Sequence, residues 1–392
     1  MPRRSNGEGS IVQLNNGTWA GQYTFKGKRK AVYGKTKQEA TKKLHTVLEE
    51  IKKGVDVDKE DMLLTDWLDY WLKYYAKPRV KRSTYISYEM MIRVHVKPFI
   101  GSVKFKNLSA RIFQEYLVGL IKSSANPDGL SLKSVKNIKN MLHSAISQAI
   151  CDDMLVKNYL DYVQLPKERK GEERVLTQSE QNLMVEEARR YPHEGSFGII
   201  LALYTGLRKG ELLGLQWQDI DEEKRVLHVR RAINRLHTDS GKEQKNKTEI
   251  VIGSTKSSCS DRDIPLFEQL FNELMRFKER QIRLKNDKGV KHLETDFIIT
   301  GQNFCHIEPR YFETIFQNVA KRAGVENVHI HTLRHSFATR CIEQGCDIYV
   351  LSKILGHAQP STTLNKYGHA LPDHKRDSMN KVGEIFYSRI AF

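Results

Sequence analysis

The sequence predicts a multidomain chain, mainly α-helical with small β-sheets, and three observations lead there. Apolar residues recur at spacings of three and four through most of the 392 residues, as helices that bury one face require. Short β-branched and aromatic runs between turn signals occur near the N-terminus and again between residues 225 and 253. Two charged stretches, Val55–Asp61 and Pro166–Arg174, interrupt both patterns and read as linkers. The expected divisions are a small sheet-and-helix domain (1–56), a helical domain (62–165), a linker (166–174) and a mixed α+β domain with a C-terminal tail (175–392).

The first domain reads as three strands, Ile11–Leu14, Trp19–Phe25 and Arg29–Tyr33, parted by Asn15-Asn16-Gly17 and Lys26-Gly27-Lys28. A helix follows, opened by a capping box at Thr36 and Glu39 and ended by Gly54, with Ala40, Leu44, Val47, Leu48 and Ile51 on one face. Residues 1–55 hold 12 Lys and Arg against four Glu, with Trp19, Tyr23, Phe25 and Tyr33 interleaved. The inward aromatics pack on the helix, while Lys28, Arg29 and Lys30 are candidates for nucleic-acid contact.

In the second domain, Leu64, Trp67, Leu68, Trp71, Leu72 and Tyr75 mark a helix that Pro78 is expected to stop. Ser83 or Thr84 starts another, Pro98-Phe-Ile-Gly101 reads as a turn, and Ser109 caps a third helix through Ile121. Ser131 opens a long helix with Val135, Ile138, Leu142, Ala145, Ile146 and Ala149 on one face. Lys81, Arg82, Lys133, Lys136 and Lys139 are candidate phosphate contacts; as a group they also suit a solvated helix face.

In the third domain, Thr177 and Glu180 form a capping box, and an apolar helix, Phe197–Thr205, leads into Gly206-Leu207-Arg208. Arg225–Arg231 and Glu249–Gly253 read as strands flanking a polar hairpin, Thr238–Thr248. Helices are expected around Phe267–Leu284, Glu308–Ala323, Thr332–Gln344 and Ile348–Leu355.

Composition bounds the function. There are 64 Lys and Arg against 47 Asp and Glu, a net charge of +17, which suits a polyanionic partner. No run of about 18 apolar residues exists to span a bilayer. The start, Met-Pro-Arg-Arg-Ser-Asn-Gly, lacks the apolar stretch of a secretory signal. Five cysteines without a Cys-x-x-Cys read as reduced thiols of a cytosolic protein.

One stretch gathers chemistry. His331-Thr-Leu-Arg334-His335 puts His331 and Arg334 on one helix face. Leu355-Gly356-His357 follows, then Asn365-Lys366-Tyr367, and upstream stand Arg208, Glu211 and Lys256. His329, His331 and His335 also have a spacing that could hold zinc, but no glutamate occupies the position expected between paired histidines and Arg334 is a fixed cation beside them, so no metal is assigned.

Taken in order, Arg208, Lys256, His331, Arg334, His357 and Tyr367 resemble the catalytic set of the tyrosine recombinases, the lambda-integrase class, and in particular integrases of conjugative transposons and temperate phages. The resemblance is strongest from Thr205 to Tyr367. It implies an arm-type DNA-binding domain, a helical core-binding domain and a catalytic domain, closing on double-stranded recombination sites as a homotetramer. An excisionase and a DNA-bending protein commonly accompany integrases of this kind. The setting implied is the bacterial nucleoid.

The chemistry fits the residue types. A phosphodiester repels nucleophiles, and a tyrosine with a pKa of about 10 is a weak one at neutral pH. Arg208 and Arg334 supply permanent, bidentate charge to the non-bridging oxygens. His331 and His357 add hydrogen bonds to the phosphate or help take the tyrosine proton. By the resemblance, Lys256 is the general acid for the leaving 5′ oxygen, with Lys242, Lys245 and Lys247 as rivals, and Glu211 orients Arg208. Tyr367 becomes a 3′-phosphotyrosine, with Tyr387 as the rival nucleophile. Because that link stores the bond energy, no ATP, metal or other cofactor is called for. A DNA-binding protein that keeps the fold without catalysis, and a type IB topoisomerase, are the alternatives.

Overall fold

The structure, a computed structural model, describes residues 9–25, 27–52, 61–123, 126–167, 174–237, 248–254, 261–293, 295–301, 304–367, 379–380, 382–384 and 386. The chain divides into two compact units, Met1–Lys170 and Gly171–Phe392. It is mainly helical with small antiparallel sheets. No described helix is long and apolar enough to cross a membrane.

In the first unit, β1 (Ser10–Gln13), β2 (Trp19–Phe25) and β3 (Lys28–Gly34) form an antiparallel sheet in sequence order. Helix α1 (Lys37–Lys52) lies on it with Ala40 and Leu44 buried, and a Cβ at Gly21 of β2 would stand 2.9 Å from the Leu44 side chain. Thr36 Oγ1 accepts from the Glu39 N–H as expected, but the Glu39 carboxylate returns to the Lys35 N–H, one residue earlier than a standard capping box.

The helical part runs α2 (Leu64–Trp71), α3 (Lys77–Arg79), α4 (Arg82–Met90), α5 (Lys97–Ile100), α6 (Ala110–Gly119) and α7 (Leu132–Cys151). Ser109 and Ser131 accept from the Ile112 and Ser134 N–H groups, which fixes where α6 and α7 begin. The indole N–H of fully buried Trp67 donates to Ala145 O at 3.0 Å, tying α2 to α7.

Two expectations fail here, for one reason. The helix runs through Pro78 and ends one residue later, at Arg79, and Pro98 lies within a helix rather than a turn. Each follows a widened π segment, Leu72–Ala76 and Met91–Val96, in which the Lys77 and Lys97 N–H groups reach back five residues to Leu72 O and Ile92 O. The extra residue per turn relieves the clash between a proline ring and the preceding turn, so the helical path continues through both prolines.

In the second unit, α8 (Gln178–Arg190) starts at the Thr177–Glu180 capping box. Helix α9 (Phe197–Thr205) is buried along nearly its whole length, with Phe197 stacked 4.3 Å from Phe277. A short α10 (Lys209–Gly214), not anticipated from the sequence, packs on the later strand Arg231–His237. The expected strand Arg225–Arg231 divides, because Arg225 takes a positive φ and the chain changes partners after Val229.

Thus β4 (Ile220–Asp221), β5 (Val226–Val229), β6 (Arg231–His237), β7 (Thr248–Ser254) and β8 (Arg262–Pro265) make two sheets, β4-β5-β8 and β6-β7. Residues 238–247 of the expected polar hairpin lie outside the described residues. Helices α11 (Glu268–Asp287), α12 (Pro309–Arg322), α13 (Ile330–Glu343), α14 (Ile348–Leu355) and α15 (Pro360–Tyr367) complete the unit. The last was not anticipated, being short and weakly periodic.

Helix α13 is the centre of this unit. It buries Ile330, Thr332, Leu333, Arg334, His335, Ser336, Ala338, Thr339 and Ile342, on more than one face, and it packs on α9. Among its polar residues, Ser336 Oγ donates to Thr332 O and accepts the Leu176 N–H, each at 2.8 Å.

A buried polar clamp closes the other side of the core. Gln281 has no exposed surface; it accepts from Trp217 Nε1 at 2.7 Å and donates to Ile298 O and Thr300 Oγ1. Gln281→Leu leaves the buried indole N–H without its partner, a loss of about 1–3 kcal/mol. Urea unfolding monitored by tryptophan fluorescence should show it, while Gln281→Ala, which also opens a cavity, should lose more.

Candidate active site

Two left-handed glycine caps set the frame. Gly206 (φ 64°) ends α9 and Gly356 (φ 66°) ends α14, so the last carbonyls of both helices turn toward the start of α10 and the buried face of α13. A Cβ at Gly206 would stand 2.5 Å from the Phe337 ring, and one at Gly356 would stand 2.9 Å from the Arg262 guanidinium. Helix C-termini carry partial negative charge, and here they receive arginines.

Arg334 donates from one nitrogen to Gly206 O at 2.7 Å. Its other terminal nitrogen donates to Leu355 O at 2.7 Å and to His357 Nε2 at 2.9 Å. The residue is 4% exposed and has no carboxylate partner among the described residues. Burial and the neighbouring Arg208 charge pull it down to about 9, which still leaves it cationic at neutral pH.

Arg208, the residue before α10, is half-buried. It donates to Glu211 Oε1 at 2.7 Å and to Gly356 O at 3.0 Å, leaving the rest of its guanidinium donors for an anion. Glu211 bonds Arg208 twice, since Oε2 also accepts the Arg208 backbone N–H at 3.0 Å.

The same Oε2 accepts from Arg262 at 2.9 Å. Burial alone would raise the Glu211 carboxyl, but the Arg262 bond and the charges of Arg262 and Arg208 hold it below its ordinary range. Sequence reasoning passed over Arg262. It opens β8 in a strand whose burial alternates, and an arginine sharing the inward register with Ile264 is the signal that could have found it.

His357 is half-buried between Arg334 and Thr363. Arginine only donates, so Nε2 must hold a lone pair; the proton is on Nδ1, which donates to Thr363 Oγ1 at 2.7 Å. Burial, then Arg334, lowers His357 to about 4. His331 keeps an exposed surface, yet lost hydration and the charges of Arg334, Lys366 and Arg208 lower it too. Tyr367, 2% exposed at the end of α15, packs on the cluster of Ala338, Ile342, Leu351 and Leu355, and its hydroxyl lies 2.7 Å from Nδ1 of His335.

The structure therefore brings together Arg208, Glu211, His331, Arg334, His357 and Tyr367, and adds Arg262 and His335. Lys256, its rivals Lys242, Lys245 and Lys247, and the rival nucleophile Tyr387 lie outside the described residues. Of the tail, Met379, Val382 and Phe386 are exposed. The remaining basic candidates are in the first unit: Lys28 and Arg29 exposed on β3 with Lys30 half-buried, Lys81 and Arg82 exposed at the start of α4, and Lys133 exposed on α7 with Lys136 and Lys139 half-buried. Lys139 donates to Val163 O at 2.8 Å, so it is partly committed within the protein. His331 and His335, weighed above as zinc ligands, have ring centroids 6.1 Å apart, with His335 Nδ1 turned to Tyr367.

Two experiments follow from these partners. Glu211→Gln removes the carboxylate that two guanidiniums share, and urea unfolding at pH 7 should show a loss of about 3 kcal/mol, the cost of breaking a buried ion pair. His357 is held neutral, so the unfolded chain binds its proton first. The stability it contributes is complete above about pH 6.5 and is lost as pH falls toward about 4. His357→Gln should flatten the difference between denaturation midpoints at pH 7 and pH 5; an unchanged difference would remove His357 as its source.

Comparison with known proteins places the chain in a family. The phage integrase family model matches residues 174–374, and the phage integrase N-terminal SAM-like domain matches residues 63–121. A tyrosine recombinase XerC-like protein of Caldanaerobacter subterraneus subsp. tengcongensis is 30% identical, covering 91% of this chain and 92% of its own. The transposase of transposon Tn916 from Enterococcus faecalis is 25% identical over 87% of this chain and 82% of its own. Among solved structures, a Tn1549 transposon integrase in complex with transposon right end DNA superposes with a TM-score of 0.66 at 25% identity, over 82% of this chain and 100% of that one. A lambda integrase dimer bound to a COC′ core site shares the fold, with a TM-score of 0.57 at 20% identity over 94% and 96%.

Proposed function

We propose that this chain, which belongs to the phage integrase family and is a tyrosine site-specific DNA recombinase, integrates and excises a mobile element with Tyr367 as its nucleophile. The observation that carries the assignment is Arg334. A guanidinium buried among carbonyls and a neutral imidazole holds an uncompensated charge, and it stands with half-open Arg208 beside a helix that ends in tyrosine. Burying a charge costs several kcal/mol, which an arriving anion offsets. A phosphodiester has the charge and the paired oxygens for two such forks.

In this reading Arg208 and Arg334 hold the non-bridging oxygens, and Glu211 and Arg262 fix Arg208 in place. His331 donates to the phosphate. His357, with Nε2 given to Arg334, positions that arginine rather than touching the phosphate. Lys256 protonates the leaving 5′ oxygen. Tyr367 forms the 3′-phosphotyrosine that a 5′ hydroxyl from another strand reverses.

The partner is double-stranded DNA. The Tn1549 integrase bound to transposon DNA supports that, as does a lambda integrase tetramer bound to a Holliday junction for assembly into a homotetramer. The N-terminal sheet, with Lys28, Arg29 and Lys30, serves as an arm-binding domain. The helical domain grips the core site with Lys81, Arg82, Lys133 and Lys136. The tail docks on a neighbouring subunit, and an excisionase and a bending protein set direction. The work is done on DNA in the bacterial cytoplasm.

The test uses a nicked suicide substrate from the ends of the host element, in EDTA. Wild type should leave a covalent protein–DNA adduct and Tyr367→Phe none. Arg208→Lys and Arg334→Lys should each slow adduct formation by roughly 100-fold or more, the scale of losing one oriented donor to a developing charge. An adduct that persists in Tyr367→Phe moves the nucleophile elsewhere, with Tyr387 next. Binding without any adduct on either end sequence favours a non-catalytic DNA-binding protein.

A further inference from the structure

The Tyr367 hydroxyl must lose a proton before its oxygen can attack phosphorus, and a phenol with a pKa of about 10 keeps it at neutral pH. The two histidines that resemble the family's set are poorly disposed to take it. His357 has Nε2 occupied by Arg334 and Nδ1 by Thr363. His331 has an exposed surface on the turn before, its ring centroid 6.1 Å from that of His335. His335 itself is 7% exposed, with Nδ1 2.7 Å from the Tyr367 oxygen and the two ring centroids 5.7 Å apart.

We propose that His335 is a further catalytic residue of this recombinase, the group that receives the Tyr367 proton. Positions 331, 334 and 335 lie on one face of α13, so the helix that presents Arg334 to the phosphate presents His335 to the nucleophile. His331 is the titratable neighbour on α13, its ring centroid 6.1 Å from that of His335, and the charges acting on His331 come from Arg334, Lys366, His329 and Arg208. A neutral imidazole with its proton on Nε2 is the form that accepts from a phenol.

In cleavage the O–H bond of Tyr367 breaks and its proton passes to Nδ1 of His335. The tyrosine oxygen bonds to phosphorus, the P–O5′ bond breaks, and the 5′ oxygen leaves with a proton from the general acid. Religation reverses each transfer, and His335 returns its proton to the tyrosine.

This role rests on Tyr367 as the nucleophile, so the test separates the two. His335→Gln keeps polarity and size without basicity. It should bind the suicide substrate as wild type does, yet form adduct about 100-fold more slowly or worse. The defect should persist on a 5′-bridging phosphorothiolate, whose sulfur leaves without a proton, whereas the Lys256→Ala defect should largely disappear there. Wild-type cleavage should fall on the acid side as His335 takes up a proton, and His335→Gln should lack that limb and keep rising with pH.

A His335→Gln rate within about threefold of wild type, or faster, overturns the proposal and makes the contact a restraint on the tyrosine. Should the variant fail to fold, 15N-histidine spectra of the wild-type protein decide. A neutral His335 protonated on Nε2, with an Nδ1 signal that moves in Tyr367→Phe, supports the transfer; a proton resident on Nδ1 overturns it. Those spectra do not depend on cleavage, and an adduct surviving in Tyr367→Phe would overturn the nucleophile instead.

Discussion

The site depends on keeping a guanidinium charged inside the protein without a carboxylate beside it. Arg334 achieves this through two backbone carbonyls at the ends of α9 and α14, where the helix dipoles are negative. An acid placed there would hold the arginine as firmly but would also cancel its charge. Glu211 is set aside for Arg208 and Arg262, so the carboxylate positions the cluster at one edge and leaves Arg334 with neutral partners.

That arrangement makes the ends of helices as important as the side chains between them. Without the left-handed turns at Gly206 and Gly356, neither carbonyl would face inward, and the Phe337 and Arg262 side chains occupy the space any larger residue would need. The glycines, the arginines and α13 form one mechanical unit, in which a shift of one helix end changes where two guanidiniums point. The match of the family model to residues 174–374 covers this unit from end to end.

Much of this was legible in the sequence. The caps at Thr177, Ser109 and Ser131 fall where spacing placed them, because capping is local and needs only the next turn. The order of Arg208, Lys256, His331, Arg334, His357 and Tyr367 singled these residues out, because six such positions in sequence rarely arise by chance. What escaped was set by partners distant along the chain. Arg262 acquires its place through a carboxylate 51 positions away, and His335 through a hydroxyl 32 positions away. The π turns before Pro78 and Pro98 escaped for another reason: propensity weighs a proline against the ordinary helix, and the chain used a wider one.

The burial of α13 on more than one face also bears on how such an enzyme decays over generations. Arg334 and the packing residues of α13 share one short segment, so few changes there leave the packing of the helix untouched. Purifying pressure on the fold alone would therefore preserve most of the buried segment around Arg334 in a copy whose activity no longer matters. Relics of this element should lose function first at α15, which buries only Thr363 and Tyr367. An intact His331-Thr-Leu-Arg334-His335 run is then poor evidence that a given copy still moves DNA.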